Sequence, residues 1–369
     1  MKTKILSFAK ANAVVLIAAL AAIVTSFIVP PDREYLGYFD WKTLTCLFCV
    51  LAVVCALRNI RFFYTLAKAI VRRFKNTRLA ILALVYITFI GSMLIANDMA
   101  LLTVLPLGYF VLHTTGKEKY MAFTYIMQNI AANLGGMLTP FGNPQNLYLY
   151  TKFNIPDGEF VSIMFPPFII AISLITLLCL LFVKAEPLEI HEKAAELPIP
   201  RVVIYLALFA LSILIVFRTI PFVVGLIVIP IAIFFLDREA LKSVDYGLLL
   251  TFVFFFIFSG NMARIEAVRA FFSGLLEKNT LLFSALSCQV ISNVPSAILL
   301  SQFTANYREL LYGVNIGGVG TLIASLASLI TFKEYTKDQP GHTVRYILKF
   351  TAYNALFFVV LVCFCMMIK

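Results

Sequence analysis

Charge is what this chain has least of. Only 13% of its 369 residues are charged, against 61% hydrophobic, and its mean hydropathy is +0.93. Soluble globular domains carry about 25% charged residues, so a water-soluble fold is excluded. Histidine is nearly as scarce: His113, His191 and His342 are the full set and stand at loop or span ends. No His-Glu-x-x-His or Gly-x-Ser-x-Gly segment occurs, which removes the usual apparatus of a metalloprotease or serine hydrolase. The seven cysteines, at 46, 49, 55, 179, 288, 363 and 365, all fall inside apolar segments. They form no disulfide framework, and Cys46-x-x-Cys49 lacks the histidine or second cysteine pair that a zinc site needs. The sequence therefore reads as a non-enzyme without a bound cofactor.

What is present is a series of apolar runs, at 11–29, 43–57, 79–113, 119–150, 160–183, 201–217, 221–236, 246–260, 280–311, 312–332 and 343–368. Several are long enough to cross a bilayer, which takes about 20 apolar residues. The first follows Lys2, Lys4 and Lys10 and runs into Pro30-Pro31-Asp32 without a small-residue cleavage site, so it reads as a retained span. The net charge of +11 does not point to nucleic acid, because the basic residues cluster between spans. With the N-terminus inside, 21 of the 30 Lys and Arg fall in cytoplasmic loops, as the positive-inside rule requires. The stretch 58–78 holds seven basic and no acidic residues, with Phe62, Phe63, Leu66, Ile70 and Phe74 on a shared face. It reads as a helix lying against anionic lipid headgroups.

Two runs, 79–113 and 280–311, are too long for one span and carry a polar knot near the middle, at Asn97-Asp98 and at Ser292-Asn293 with Pro295. Each reads as a re-entrant hairpin. The next run in each half is interrupted by Asn-x-Gly-Gly: Asn133-Leu134-Gly135-Gly136 and Asn315-Ile316-Gly317-Gly318. Non-helical backbone survives at membrane depth only where protein or a water-filled cavity satisfies it. Duplicated breaks in corresponding places mark the binding site of a secondary transporter. Asp40-Trp41 and Asp245-Tyr246 open matching spans, and the count of crossings makes the two units inverted. The expected fold is all-α and polytopic, with about nine transmembrane helices and two hairpins. The first repeat is 1–183, a cytoplasmic linker and connecting span 184–220, and the second repeat 221–369, with the N-terminus inside and the C-terminus outside.

Asp98 is the one carboxylate this topology buries, and an intramembrane carboxylate is a cation ligand or proton carrier by default; the alternative role is capping the second half-helix of the hairpin. Asn97, Asn133, Asn293 and Asn315 stand at the four breaks, where amide oxygens and unwound carbonyls suit Na⁺ and free N–H groups suit an anion. Gly135, Gly136, Gly317 and Gly318 allow close backbone approach. Thr139, Asn143, Asn146, Ser296, Thr321 and Ser325 add polar groups at the same depth, although a hydroxyl can equally bond its own helix. Na⁺ is expected at Asn97, Asp98, Asn133, Asn293 and Asn315.

The segments Asn97-Asp98-Met99-Ala100-Leu101-Leu102, Thr139-Pro140-Phe141-Gly142-Asn143-Pro144-Gln145-Asn146, and Ser292-Asn293-Val294-Pro295-Ser296-Ala297 followed by Asn315-Ile316-Gly317-Gly318 resemble the ion-transporter superfamily. That group includes arsenite permeases, citrate–metal carriers, sodium:dicarboxylate symporters and a class of Na⁺/H⁺ antiporters. The resemblance covers about 11–368. It implies a homodimer with substrate and Na⁺ or H⁺ near the hairpin tips, moving by an elevator mechanism in a bacterial or archaeal inner membrane. The dicarboxylate symporters read Ser-Asn-Thr at both tips, whereas these read Ala96-Asn97-Asp98 and Ser292-Asn293-Val294. An arsenite-permease-like carrier of a small anion is the closer match; a Na⁺/H⁺ antiporter is the rival, and a passive channel the more distant one.

Overall fold

A computed structural model describes residues 13–188 and 197–369; the basic N-terminus and the centre of the linker, with His191, lie outside them. The described residues form seventeen α-helices and no strand beyond one isolated bridge, Asn76 to Pro187. The first half holds α1 (Ala13–Ile28), α2 (Trp41–Asn59), α3 (Phe62–Val71), α4 (Thr77–Ile95), α5 (Asn97–Thr114), α6 (Met121–Gly135), α7 (Pro144–Lys152) and α8 (Asp157–Phe182). α9 (Ile199–Val216) connects the halves. The second holds α10 (Phe222–Leu236), α11 (Arg238–Lys242), α12 (Tyr246–Arg264), α13 (Glu266–Ile291), α14 (Asn293–Leu300), α15 (Tyr307–Ile316), α16 (Leu326–Asp338) and α17 (Thr343–Ile368). Six of these helices are by themselves long and apolar enough to cross a membrane: α2, α4, α8, α9, α12 and α17.

Matched polar residues begin the matched elements. Asp40 caps α2 by accepting the Thr43 N–H at 3.0 Å, and Asp245 caps α12 by accepting that of Leu248 at 2.9 Å. Asn76 caps the first hairpin arm through the Leu79 N–H. Asn279, whose φ of −167° and ψ of 93° interrupt α13, caps the corresponding arm through Leu282. Each side-chain oxygen satisfies a donor that a helix start otherwise leaves free. The amphipathic stretch forms α3 ahead of the first of these caps, and the first part of α13, residues 266–278, holds the corresponding place ahead of the second.

The two hairpins open toward opposite ends of the molecule, and the broken helices α6–α7 and α15–α16 run antiparallel. Tyr125, near the start of α6, donates to Asp338 at the end of α16 at 2.6 Å, while Tyr307 at the start of α15 donates to Glu159 just beyond α7 at 2.7 Å. The repeats are therefore inverted. α6 is the central element, buried along nearly its whole length. At about 1.5 Å rise per residue, α6 reaches about 22 Å in from one end before it breaks and α7 covers about 13 Å to the other. The break thus lies well inside the combined length of the two helices.

The second hairpin is shorter than its apolar run. Its return arm stops at Leu300, and a turn over 301–306 leads to a helix starting at Tyr307, so the run 280–311 includes the start of the next helix. Likewise the second broken helix covers 307–338 rather than 312–332. At the turn the Thr304 hydroxyl accepts the Asn306 N–H and Asn306 caps α15; Phe303, Ala305 and Tyr307 alternate there with the polar residues and carry the apolar run across it.

Candidate functional site

Both hairpin tips turn on one non-glycine residue with positive φ: Ala96 at φ 66° and ψ 148°, and Ser292 at φ 73° and ψ 161°. That region is almost reserved for glycine, and occupying it costs about 1–3 kcal/mol. Matching bonds hold both tips. The Asn97 N–H donates to the Gly142 carbonyl at 3.2 Å and the Asn293 N–H to that of Ala324 at 2.9 Å. The Thr139 hydroxyl donates to the Met93 carbonyl at 2.6 Å, and that of Thr321 to the Gln289 carbonyl at 3.2 Å. Each hairpin tip is thereby pinned to the unwound stretch of its own repeat. Asn97 and Asn293 turn their side-chain oxygens back onto the next N–H, of Asp98 and Val294, both at 2.9 Å.

Their amide nitrogens point to a common centre. Asn97 Nδ2 donates to Asn133 Oδ1 at 3.4 Å. A methyl placed on Gly318 would lie 3.1 Å from Asn293 Nδ2 and 3.3 Å from Asn133 Oδ1, so these two side chains meet over that glycine. Asn315 Nδ2 donates to Asn146 Oδ1 at 2.6 Å, and Asn315 Oδ1 accepts from Asn143 Nδ2 at 3.3 Å and Gln145 Nε2 at 3.4 Å. Seven buried amides from both repeats thus form one cluster. Gly135 is required by the crossing itself: a side chain there would overlap the Phe89 carbonyl and sit 2.6 Å from Ser92 Oγ.

The two halves of the cluster are not equally satisfied. In the second half, the Gln289 amide clasps the unwound strand, donating to the carbonyls of Gly317 at 2.9 Å and Val319 at 3.2 Å and accepting the Thr321 N–H at 2.8 Å. Ser325 caps α16 through Ser328. In the first half Asn146 clasps the carbonyls of Gly136 and Met137, but Asn143 makes no side-chain cap for α7. Asn143 Oδ1, Gln145 Oε1 and Asp98 Oδ1 are buried without a hydrogen-bond partner. Each is an acceptor without a donor, and the carboxylate is the strongest cation attractor of the three. Arg58 Nη1 rests on the Met99 sulfur at 3.4 Å, one residue from Asp98. The capping role considered for Asp98 is not seen: its carboxylate Oδ1 accepts no bond, and it is Asn97 that accepts an N–H at the α5 start.

Several expected residues stand elsewhere. Thr139 and Thr321 are tip fasteners, with Thr321 exposed, and the Ser296 hydroxyl pairs with Ser287 at 2.9 Å inside the second hairpin. Sequence reasoning passed over Gln145, Gln289 and Asn129. Gln145 lies within the irregular segment beside Asn146, Asn129 lies four residues before Asn133 on the same helix face, and Gln289 lies in the last turn of α13 before the tip at Ser292; position beside a break was the available signal. Asn133 Nδ2 donates to the Asn129 carbonyl at 3.1 Å.

Residues 5–309 match the model of the citrate transporter family, CitMHS. An uncharacterised transporter of Methanocaldococcus jannaschii is 34% identical over 302 residues, covering 81% of this chain and 82% of that protein. The Escherichia coli inner membrane protein YbiR is 30% identical over 322 residues, 85% of each chain. The crystal structure of the Alcanivorax borkumensis YdaH transporter shares the fold, with a TM-score of 0.54 over 95% of this chain and 96% of that one at 12% identity. With its inverted hairpins, antiparallel broken helices and family match, the chain belongs to the citrate transporter family of the ion-transporter superfamily.

Proposed function

We propose that this transporter moves a small anion across the membrane, coupled to Na⁺ or H⁺. The observation that carries this reading is the buried amide cluster with the donor-less oxygens Asn143 Oδ1 and Gln145 Oε1, together with a donor-less carboxylate oxygen on Asp98, next to Asn97 at the first hairpin tip. A cation among them would supply the missing partner. The starts of α5, α7, α14 and α16 converge on the same cluster and offer positive dipole ends to an anion. The Na⁺ site expected from the sequence on Asn97, Asp98, Asn133, Asn293 and Asn315 extends in this reading to Asn143, already among the expected binding residues, and to Gln145, both on the first repeat. α4 to α8 and α13 to α17 would slide as one body against α1, α2 and α9 to α12 in an elevator cycle, each chain paired with a second copy. The N-terminus would be cytoplasmic and the C-terminus outside, in a bacterial or archaeal inner membrane. α3, with Leu66 and Ile70 exposed beside Arg61, Arg72 and Arg73, would lie on anionic headgroups.

Proteoliposomes offered citrate, succinate, sulfate or arsenate under an imposed Na⁺ or pH gradient test this. Concentrative uptake of one anion, driven by one of the gradients, is the expected result. Asp98 favours a second reading, because a single buried carboxylate also suits Na⁺/H⁺ exchange. Sodium-driven proton movement with no uptake of any anion would establish that antiporter and end the anion reading.

A further inference from the structure

A cavity of 490 Å³ opens at the Asp40 end of the molecule, between the start of α2 and the ends of α7 and α12. Lys42, Lys152, Arg264 and Arg269 line it, against one carboxylate, Asp40, which is engaged with Thr43 as the α2 cap. Only nine of the 30 basic residues fall outside the loops assigned to the cytoplasmic side, and four of those nine meet here. Arg264 is bound by Asp32 at 2.7 Å and Glu34 at 3.3 Å. Among the described residues, Lys42, Lys152 and Arg269 make no ion pair. Lys42 and Arg269 also stand in the first turns of α2 and α13, the positive ends of those helices, where a cation is disfavoured. Helix stability therefore does not explain them.

The floor of the cavity is Tyr148, whose hydroxyl pairs with Ser301 at 2.9 Å and whose ring packs on Phe256 at 5.6 Å. Below Tyr148, α7 leads straight to Asn146, Gln145 and Asn143, about 13 Å from Lys152 at 1.5 Å per residue. We propose that this cavity is an anion vestibule, a second binding site for a multiply charged carboxylate or oxyanion before it passes Tyr148 to the amide cluster. Its role as an entry site rests on the anion-carrier reading; its binding of anions does not. Low-dielectric walls with one sign of charge raise the local concentration of counter-ions, and three cations without carboxylate partners supply that charge.

The chain's only tryptophan, Trp41, sits between Asp40 and Lys42 and is 59% exposed, so its fluorescence reports the local potential. With the full chain in phosphatidylcholine nanodiscs, and each quencher scaled to its quenching of free N-acetyltryptophanamide, iodide should quench Trp41 about threefold more strongly than caesium at low salt, an excess that the short Debye length at 1 M salt removes. Citrate should protect against iodide. Lys42→Gln/Lys152→Gln/Arg269→Gln should lose the iodide excess and the citrate protection, with quenching by neutral acrylamide unchanged as the check on folding. Equal iodide and caesium quenching in the parent protein would overturn the proposal without any variant. Protection that disappears in phosphatidylglycerol nanodiscs would assign the cavity to a lipid headgroup and overturn it too. In proteoliposomes the triple variant should raise the KM for anion uptake severalfold at unchanged maximal rate. A parent that takes up no anion removes the carrier reading while leaving the quenching result intact, so the two failures are distinct.

Discussion

Asp98 and Val294 occupy the same place in the two repeats, each donating its N–H to the preceding asparagine, yet only one is charged. Symmetry supplies the scaffold, and the charge at Asp98 breaks it. If Asp98 is a cation ligand, Asp98→Asn should weaken Na⁺ activation at least tenfold and uncouple anion uptake from the sodium gradient, since a charged ligand contributes about 1.5–3 kcal/mol more than nothing at such a contact. If it exchanges protons, the same substitution should abolish pH-dependent exchange altogether. Uptake with unchanged Na⁺ and pH dependence would exclude both roles. Asn97→Ala and Asn293→Ala each remove one polar side chain from the cluster and add no charge. Coupled transport should fall to background in both, measured in vesicles with equal amounts of inserted protein, and parental rates would place the site elsewhere.

At the scale of elements, helix crossing sets the tolerance. In lipid, helices associate through close packing and small residues rather than through the hydrophobic effect, and Gly135 lets α6 lie directly on the α4 backbone at Phe89. Gly135→Ala should therefore destabilise the protein by about 1–3 kcal/mol, seen as a lower unfolding temperature in detergent. Gly274, where nothing lies within 4 Å of an added methyl, is the control and should accept alanine.

A second element-scale feature is the strap over residues 183–188. Glu186 receives Lys117 and Lys119, both at 2.6 Å, and its carbonyl accepts the Thr77 N–H at 2.8 Å, while Arg78 Nε donates to the Val183 carbonyl at 2.6 Å. The two lysines hold the Glu186 carboxyl down at about 2, against an ordinary 4.5. A depressed carboxylate contributes fully above its unfolded value and loses that contribution as pH falls through the folded one. The strap's charge pairing should thus be constant from pH 5 to 8 and weaken only between pH 4.5 and 2. Any transport change between pH 5 and 8 must come from another group. Glu186→Gln should leave that transport pH profile unmoved while speeding hydrogen exchange at 183–188; a shifted profile would show that the strap titrates in use.

On the scale of the whole molecule, the helices divide into two groups. α1 packs on α12 and α2 on α9 and α10, joined by Asn261 to Thr25 at 3.3 Å and Asn59 to Asp237 at 3.1 Å. The hairpins and broken helices form the other group around α6. Tyr148 on α7 meets Phe252 and Phe256 on α12 where the groups touch. A mercury bridge between Tyr148→Cys and Phe256→Cys should stop uptake while leaving anion-dependent thermal stabilisation in place, because binding to the folded state still shifts its unfolding. Transport at the parental rate with the bridge formed would exclude relative sliding of the two groups.

The sequence by itself determined the membrane class, the duplicated breaks and the inversion. Each of these is written in local pattern: apolar run length, the Asn-x-Gly-Gly interruptions, the Asp40 and Asp245 starts, and the sidedness of basic loops. Hairpin tips were legible because an asparagine in an apolar run has no cheap helical place. The end of the second hairpin was not, although Ser301, Gln302, Thr304, Asn306, Arg308 and Glu309 mark it, because Phe303, Ala305 and Tyr307 alternate with them and carry the apolar run across the turn. Only the tertiary structure decided which polar residues share a site. Thr139 and Thr321 stand beside Asn143 and Asn315 in the polar segments of the sequence, yet their hydroxyls are bonded to the Met93 and Gln289 carbonyls. Gln145, unremarkable in sequence, faces Asn315 across the repeat boundary. Residues 170 positions apart meet there, and which way a side chain points at such a crossing depends on how two broken helices pack, a relation that no local pattern encodes.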